Sequence, residues 1–430
     1  MRTLLACAVL CLGAAARADD AEVAGFHFQV TVATQQHPTF SSPYAGPHSL
    51  QPGEESATSV VADLFAGARP WPGGELYLQP ELSGGRGLSS TLGVAAFPSG
   101  EVYRVGSPTP AVTVARCFLR QVVGLGGGQV AVEPGPGALG GVRDRDALTL
   151  TLGKVAVPDF VDAVPTSSDP HTRFMSWGLF ASGAYDYPAD THGYTWGAAA
   201  DLSLGGWSAR GALFLEPTSA NGMTLDWRID RARGLVAEVE RRWAPRDLPG
   251  AARALIFSNT APMGRYQTAL ASAPGGPDVT ATRADGRTKT GFAASVDQAL
   301  GGGLAAFLRV SADDGATESW AFTEIDRSLA LGAVQSGARW GRPADEAGVA
   351  GVVSGLSAPH RRYLAAGGLG FILGDGALRY APELLLEAYY RLALTPALAL
   401  GVTYQPIFNP GFNADRGPVQ VLTGRLHAAF

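Results

Sequence analysis

The last twelve residues of the chain alternate apolar and polar side chains and end on an aromatic, Phe430. Steps of two back from Phe430 give an apolar series, whereas the intervening series carries His427, Arg425 and Thr423. Because side chains alternate across a β-strand, one face of this segment suits lipid and the other suits water. The pattern is typical of the strand that closes a membrane β-barrel, although a soluble protein can also end on an amphipathic edge strand.

The first residues carry an export signal. Residues 1–18 combine an early Arg2, an apolar core and a small-residue cleavage pattern before Asp19, which together predict a secretory signal peptide. The mature chain, 19–430, shows no linker or composition shift, so we expect one domain. Removal of the signal peptide leaves Cys117 as the single cysteine, which excludes an intramolecular disulfide.

Composition narrows the fold class further. Beyond the signal peptide, no apolar run approaches the ~20 residues that a membrane helix needs. The formal net charge of −5 becomes about −7 without the two signal-peptide arginines, and no basic stripe is present, so nucleic acid is not an expected partner. An exported chain with 56 glycines and frequent aromatics leaves a soluble all-β protein or an outer-membrane barrel.

The rhythm of the connections favours the barrel. Segments of strand character are joined alternately by tight turns, such as Gly205-Gly206, and by long polar loops, such as 158–193. Transmembrane barrels have short periplasmic turns and long extracellular loops. We therefore predict an all-β, antiparallel up-and-down transmembrane barrel of about sixteen strands. One assignment is irregular: 124–145 is a long connection with room for strand extensions, and its glycine run, 124–128, is predicted as turn. Among the later segments, 318–340 is predicted as a strand.

Charges keep to one face of the predicted strands. In 380–394, Glu383 and Glu387 oppose Leu384 and Leu386, and in 75–82 the glutamates oppose leucines in the same way. A carboxylate facing lipid is costly, so the charged face must be wet. This alternation alone also fits a soluble sandwich, and it is the connection rhythm that separates the two.

Several longer segments look familiar. They are 42–50 (SPYAGPHSL), 87–101 (GLSSTLGVAAFPSGE), 169–174 (DPHTRF), 193–197 (GYTWG), 374–376 with 380–383 (GDG, YAPE) and 409–418 (NPGFNADRGP). In this order they resemble the carbohydrate-selective porins of the OprB type, over nearly the whole mature chain. One departure is His48, where the family's first-loop motif is expected to have Asn. This difference leaves the substrate preference open.

The resemblance implies a sixteen-stranded barrel of the Gram-negative outer membrane that passes small sugars such as glucose passively. It also implies a monomer, although a trimer stays open. Expected partners are small sugars, outer-membrane lipids and, through the C-terminal strand ending at Phe430, the barrel-assembly machinery. No cofactor is expected.

A sixteen-stranded lumen is too wide to select small sugars by its wall, so inward-folded loops must form a constriction. Sugar hydroxyls suit arginine and carboxylate groups, and the apolar ring faces suit aromatics. The 158–193 loop supplies all three kinds of residue, and the 84–110 loop adds Arg86, Glu101 and Arg104. We predict that seven residues line the constriction: Arg116, Arg120, Asp169, Arg173, Trp177, Glu383 and Glu387.

Five of these residues also have a structural interpretation. Asp169 and Arg173 can pair or cap a short loop helix, and Trp177 can belong to an interfacial aromatic girdle. Glu383 and Glu387 can form ion pairs in the wall without touching sugar.

Other function classes find less support. No nucleophile or zinc motif is present, so the sequence does not predict an enzyme, although outer-membrane hydrolases scatter their catalytic groups along strands. Asp313-Asp314-Gly315 is an acidic turn that could hold calcium only loosely. The nearest alternative is a general or anion-preferring porin, and an adhesin or structural barrel is a third class. Abundant inward arginine would favour anions, whereas the mixture of arginine and carboxylate favours neutral solutes.

Overall fold

The computed structural model describes residues 21–101, 109–271 and 276–430. The predicted signal peptide and Arg104 therefore lie outside the described residues.

Within these ranges the chain forms a closed antiparallel barrel of sixteen strands, in which each strand pairs with its sequence neighbours and β1 pairs with β16. The first eight strands are β1 (Ala24–His37), β2 (Glu55–Trp71), β3 (Gly74–Gly85), β4 (Ala111–Val132), β5 (Gly141–Val155), β6 (Thr195–Leu204), β7 (Trp207–Leu215) and β8 (Arg233–Trp243). The second eight are β9 (Gly250–Ala261), β10 (Arg287–Gly301), β11 (Leu304–Asp313), β12 (Arg327–Ser336), β13 (Glu346–Gly355), β14 (Glu383–Thr395), β15 (Leu398–Phe408) and β16 (Val419–Ala429). The predicted fold class and strand number are confirmed.

Helices are few and short. The described residues form three α-helices, α1 (Trp177–Phe180), α2 (Tyr266–Ala271) and α3 (Ala358–Ala365). The 3₁₀ turns are Leu88–Thr91, Val157–Asp159, Pro245–Asp247, Thr280–Thr282, Gly337–Trp340 and Pro410–Phe412. Among the described residues, no helix has the length and apolar character needed to cross a bilayer.

The strand faces follow the alternation in the sequence. On β14, Leu386 and Tyr390 are exposed on the outside of the barrel, whereas Glu383 and Glu387 point inward and are each 1% exposed. On β3, Leu76 and Leu78 are outside and the intervening polar residues are buried inside. An apolar exterior around a charged interior is the arrangement that a lipid environment requires.

The predictions for segments 124–145 and 318–340 have different outcomes. Residues 124–145 contain the predicted strand extensions: β4 runs to Val132 and β5 starts at Gly141, so the Gly124–Gly128 run lies within a strand and not, as the sequence suggests, in a turn. The predicted strand 318–340 is wrong, because β12 covers only Arg327–Ser336. The segment before it folds into the barrel, where Trp320 is fully buried and donates from Nε1 to the carbonyl of Pro217 at 2.9 Å. Its apolar residues fill the interior and do not alternate between two faces.

Candidate solute pathway

Inward-facing carboxylates hold the long loops inside the barrel. Four of them each accept hydrogen bonds from two consecutive backbone N–H groups of a loop. Glu383 binds residues 95 and 96, Glu387 binds 175 and 176, Glu324 binds 372 and 373, and Asp186 binds 320 and 321, all at 2.6–3.2 Å. A charged acceptor strengthens such bonds, and a buried backbone N–H is costly to leave unpaired. Glu383 and Glu387 on β14 therefore fix two loop segments against the wall, whereas Glu324 and Asp186 lie in loops themselves and join loop segments to one another.

The two predicted glutamates are both of this kind. Glu383 also accepts from the N–H of Gly411 at 2.8 Å, and Glu387 also accepts from Nε2 of Gln405 at 2.9 Å. The structure thus places both side chains on the inner face, under loop backbone, and neither borders the two cavities described below.

The packed loops leave open space along the inner faces of strands β2 to β8. An outer cavity of about 330 Å³ lies on the side of the long loops, and an inner cavity of about 680 Å³ lies on the side of the short turns. Asp159 and Ala163 line both cavities, so the two volumes adjoin at these residues. This pair of cavities is the candidate pathway for a solute.

Aromatic side chains form one wall of the outer cavity. Trp177 on α1 stacks on Phe322 with ring centroids 4.5 Å apart and 15° between the planes. Phe97 and Tyr187 extend the wall, with centroids 5.1 Å from Trp177 and 4.8 Å from Phe322 respectively. Trp177 therefore lies in the interior among loop aromatics and not in an interfacial girdle.

The point where the cavities adjoin is marked by an ion pair. Arg116 donates from Nε and Nη2 to both carboxylate oxygens of Asp159 at 2.6 and 2.7 Å, and from Nη1 to Oε1 of Gln79 at 2.6 Å. Its guanidinium also lies 5.3 Å from the ring centroid of Tyr194. A bidentate pair holds both planar groups in a fixed orientation, which gives the passage a defined polar edge.

Arg120 borders the inner cavity. Its Nη1 lies 3.3 Å from Oε2 of Glu75 and donates to the carbonyl of Gly137 at 3.1 Å. The guanidinium lies 5.1 Å from the ring centroid of Tyr77 and 5.3 Å from that of Phe118. The side chain is thus partly engaged with the wall and with the connection between β4 and β5.

Asp169 and Arg173 hold their own loop. Asp169 accepts from the N–H of His171 at 3.1 Å and from the hydroxyl of Thr172, which caps the turn that follows it. The Arg173 N–H donates to the Asp169 carbonyl at 2.8 Å, but its guanidinium forms a bidentate bond with Glu346 on β13, at 2.9 and 3.0 Å, and not with the Asp169 carboxylate. Neither residue lines the two cavities.

The charge state of this loop is set by its neighbours. Burial disfavours charge on His171, but the Glu101 carboxylate, 2.8 Å from Nδ1, outweighs burial and raises the pKa of His171 to about 9. Burial likewise opposes ionisation of Asp169, yet the His171 charge and the Thr172 hydroxyl bring the pKa of Asp169 below its usual value. Both groups are charged at neutral pH, and His171 presents a cation to the outer cavity.

Sequence reasoning missed several residues of the pathway. The sequence predicts a strand for Phe322 and a motif for Phe97, which line the outer cavity, and it indicates no role for Arg210 and Glu240, which line the inner cavity. For Arg210 and Glu240 the alternation itself was a usable signal, since both had to face inward. For Phe97 and Phe322 there was none, because loop packing alone brings them to Trp177.

A closed barrel with a lipid-facing exterior and a polar internal passage defines a membrane channel of the porin class. The profile of the carbohydrate-selective porin OprB family matches residues 48–430, and the chain belongs to that family. The high-pH structure of Pseudomonas putida OprB is similar to this chain with a TM-score of 0.72 and 15% identity, over 95% of this chain and 94% of that one. The outer-membrane channel DcaP of Acinetobacter baumannii is similar with a TM-score of 0.51 and 11% identity, over 97% and 99%. No curated protein sequence matches the chain.

Proposed function

We propose that the protein is a porin of the Gram-negative outer membrane through which small neutral sugars, glucose among them, diffuse down their gradient. The observation that carries this proposal is the outer cavity, where an aromatic wall faces hydrogen-bonding side chains across a volume of about 330 Å³. This volume is at the small end of the ~300–1,000 Å³ range of small-molecule sites. Membership of the OprB family supports the same substrate class.

The mechanism follows from the aromatic wall of the outer cavity and from the hydrogen-bonding side chains that face it. The C–H face of a sugar ring lies against Trp177 and Phe322, while its hydroxyls exchange water for Arg116, Asp159 and neighbouring polar groups. Each contact is weak and exchangeable, so the sugar passes the Arg116–Asp159 pair into the inner cavity and leaves. This process needs no covalent step, and we infer that the protein works as a channel and not as an enzyme.

Of the seven predicted constriction residues, we propose direct sugar contact for Arg116 and Trp177, and for Arg120 on the inner side. The same proposal gives Asp169, Arg173, Glu383 and Glu387 a positioning role, since they hold the loops that carry the outer cavity.

The charge pattern supports neutral solutes over an anion-preferring pore. Six arginines of the inner face and the inward loops each face a carboxylate within 4 Å: Arg116, Arg120, Arg173, Arg210, Arg253 and Arg309. Paired charges retain hydrogen-bonding groups for hydroxyls but cancel much of the field that would attract anions.

Three further expectations belong to this proposal. The apolar exterior contacts outer-membrane lipids. The barrel-assembly machinery engages the C-terminal strand that ends at Phe430. The protein functions as a monomer. Chemical cross-linking of the protein in native membranes tests the last point, since discrete dimer or trimer bands would contradict it.

The function is tested by swelling of liposomes that contain the purified protein. Glucose, a larger oligosaccharide and a charged solute of similar size are compared, and single-channel current is recorded with and without glucose. Fastest swelling with the small neutral sugar, together with glucose block of the current, is the expected result. Rates ordered by solute size alone would reduce the protein to a general pore.

A matched pair of variants connects the result to the site. Trp177→Ala should weaken glucose block, whereas Trp207→Ala, which removes an exposed indole from the outer surface of β7, should leave it unchanged. Equal effects of the two variants would contradict the proposed role of the aromatic wall.

A further inference from the structure

The connection between β4 and β5 extends far beyond the rim of the barrel. Pairing of β4 with β3 ends at Gln121, and pairing of β5 with β6 begins at Ala147. Residues 126–132 and 141–146 therefore pair only with each other, as a hairpin on the side of the short turns. The other short connections stay at or near the rim, so this hairpin needs a separate explanation.

A glycine run bends the hairpin. Gly126, Gly127 and Gly128 have φ of 89°, 76° and 89°, a region that favours glycine, and the β4 to β5 register shifts on both sides of Gly126. The N–H of Gly126 donates to Oδ2 of Asp144 at 2.9 Å, and a Cβ on Gly127 would lie 2.5 Å from the carboxylate of Asp146. The bulge thus has both the backbone conformation and the close packing that require glycine.

The bend brings the hairpin tip into the barrel. Leu139 is 2% exposed, and its N–H donates to the Tyr77 hydroxyl at 3.1 Å. A Cβ built on Gly67 would lie 3.1 Å from Cδ2 of Leu139, so the absence of a side chain on β2 makes room for the leucine. Leu139 is therefore seated on the inner wall formed by β2 and β3.

Charged side chains fasten the tip. Arg69 donates to the carbonyls of Leu139 and Gly140, each at 3.3 Å, and Arg120 donates to the carbonyl of Gly137 at 3.1 Å. Glu22, ahead of β1, accepts from the N–H of Gly140 at 2.7 Å. Several wall residues thus bind the backbone of the tip, a set of contacts that a solvent-exposed turn would not need.

The docked tip forms one side of the inner cavity. Gly137, Ala138 and Leu139 line it, and Asp201, Arg210 and Glu240 of β6 to β8 line the same cavity. A solute that leaves the passage at Asp159 must travel between the tip and these strands.

We propose that the hairpin tip, residues 133–140, is a second size filter at the periplasmic exit, separate from the outer aromatic constriction. The filter rests on the proposed channel function but not on sugar preference, because it acts on the cross-section of the exit. Its effect is expected on ion flow and on neutral polymers as well as on sugars.

The test replaces residues 125–146 with Asn-Gly, a pair that favours a two-residue hairpin turn, and keeps the Gly124–Ala147 pair. We expect a rise in single-channel conductance of about twofold or more, and access for larger neutral polymers from the periplasmic side. Glucose block at the outer cavity should persist. Unchanged conductance and unchanged polymer access would overturn the proposal.

A second measurement keeps the proposal testable if the shortened hairpin fails to fold. In a Cys117→Ser background, Ala138→Cys places a thiol in the inner cavity, whereas Ala131→Cys places one on an exposed part of the same hairpin. A bulky thiol reagent added from the periplasmic side should reduce the current through Ala138→Cys and leave Ala131→Cys unchanged. Equal responses of the two variants would contradict the filter.

The two proposals fail separately. Loss of sugar preference with a conductance rise on hairpin replacement would remove the sugar assignment and keep the filter. Intact glucose block in the wild type with no effect of the hairpin would remove the filter alone.

Discussion

Glu387 shows how one residue can shape the pathway without touching it. Its carboxylate binds the N–H groups of Met175 and Ser176, which lie directly before Trp177 in the chain. The aromatic wall of the outer cavity is therefore positioned by a glutamate under the loop. Buried polar groups of this kind matter chiefly through the penalty of leaving their partners unpaired.

Glu387→Ala should accordingly destabilise the protein by about 1–3 kcal/mol, because two buried N–H groups lose their acceptor and the Gln405 amide keeps only the Pro98 carbonyl. The midpoint of denaturant unfolding in detergent measures this change, and glucose block should weaken with it. Glu54→Ala, at an exposed position of the 38–54 loop, serves as the control and should change neither quantity. A full-strength glucose block in Glu387→Ala would contradict the positioning role.

His171 gives a pH dependence with a definite sign. Its pKa in the folded protein is about 9, above the ordinary 6.5, so the charged form stabilises the fold. That stabilisation, at most about 3 kcal/mol, is complete below pH 6.5 and is lost as the pH rises through about 9. Asp169, Asp63 and His427 also face this ring, and His427 is the neighbour whose charge would oppose it.

Thermal unfolding measured between pH 6 and pH 10 checks this expectation. The wild type should lose stability across that window, and His171→Gln should lose distinctly less. Identical pH profiles for the two proteins would show that another group controls the effect.

At the scale of elements, α3 is joined to the segment before β12 by a buried ion pair. His360 on α3 lies with Nδ1 3.1 Å from Oδ2 of Asp326 and with Nε2 3.6 Å from Oε1 of Glu324. Burial opposes both charges, but the pair lowers the pKa of Asp326 to about 2 and raises the pKa of His360 to about 9. The contact joins two extracellular loops, 314–326 and 356–382, into one unit.

His360→Ala should loosen the contact between these loops and cost about 3–5 kcal/mol, because it leaves the buried Asp326 carboxylate without its imidazolium partner. Limited proteolysis of the protein in intact cells or proteoliposomes should show faster cleavage in 356–382. Arg362→Ala, an exposed position on the same helix, is the matched control.

The same contact has a pH dependence. The ionised Asp326 carboxylate stabilises the fold above about pH 4, and this stabilisation is lost as the pH falls through about 2. The wild-type loops should therefore also become less protected from proteolysis under acid conditions.

At the scale of the whole molecule, the interior is divided into a packed region and a passage. The inner faces of β9 to β16 lie under the loops, with side chains such as Lys289 and Arg309 at 0–1% exposure, whereas the cavities run along β2 to β8. Loop residues thus fill the interior along β9 to β16, and the proposed solute route lies to one side, along β2 to β8.

Charge pairing along that route predicts weak ion selectivity for the wild type. Asp159→Asn leaves Arg116 without its carboxylate where the cavities adjoin, so it should shift the channel toward anions. The reversal potential under a salt gradient measures the shift. Asp230→Asn removes a highly exposed charge outside the pathway and should have no comparable effect, whereas an unchanged reversal potential in Asp159→Asn would contradict the proposed passage.

The alternation of residues predicted more of the structure than any single motif did. It placed Glu383 and Glu387 inside and Leu386 outside, and it gave the number of strands through the rhythm of turns and loops. It failed where that rule does not apply: 318–326 is buried inside the barrel on both its polar and its apolar side chains, and the glycine run at 126–128 is a bulge inside a strand.

Of the seven residues predicted for the constriction, the structure brings Arg116, Arg120 and Trp177 to the cavities and engages the other four with loops. Residue type could not make this distinction, because an inward carboxylate can serve equally well for a sugar hydroxyl or for a backbone N–H.

The sequence by itself determined the barrel, its strand faces and its family resemblance, since these depend on period-two patterns and on local turn chemistry. Only the tertiary structure decided which loops fill the lumen, which charges are already satisfied and where the passage runs. Those outcomes depend on contacts between residues far apart in the chain, such as Glu387 with Ser176 or Leu139 with Tyr77, and no local pattern encodes them.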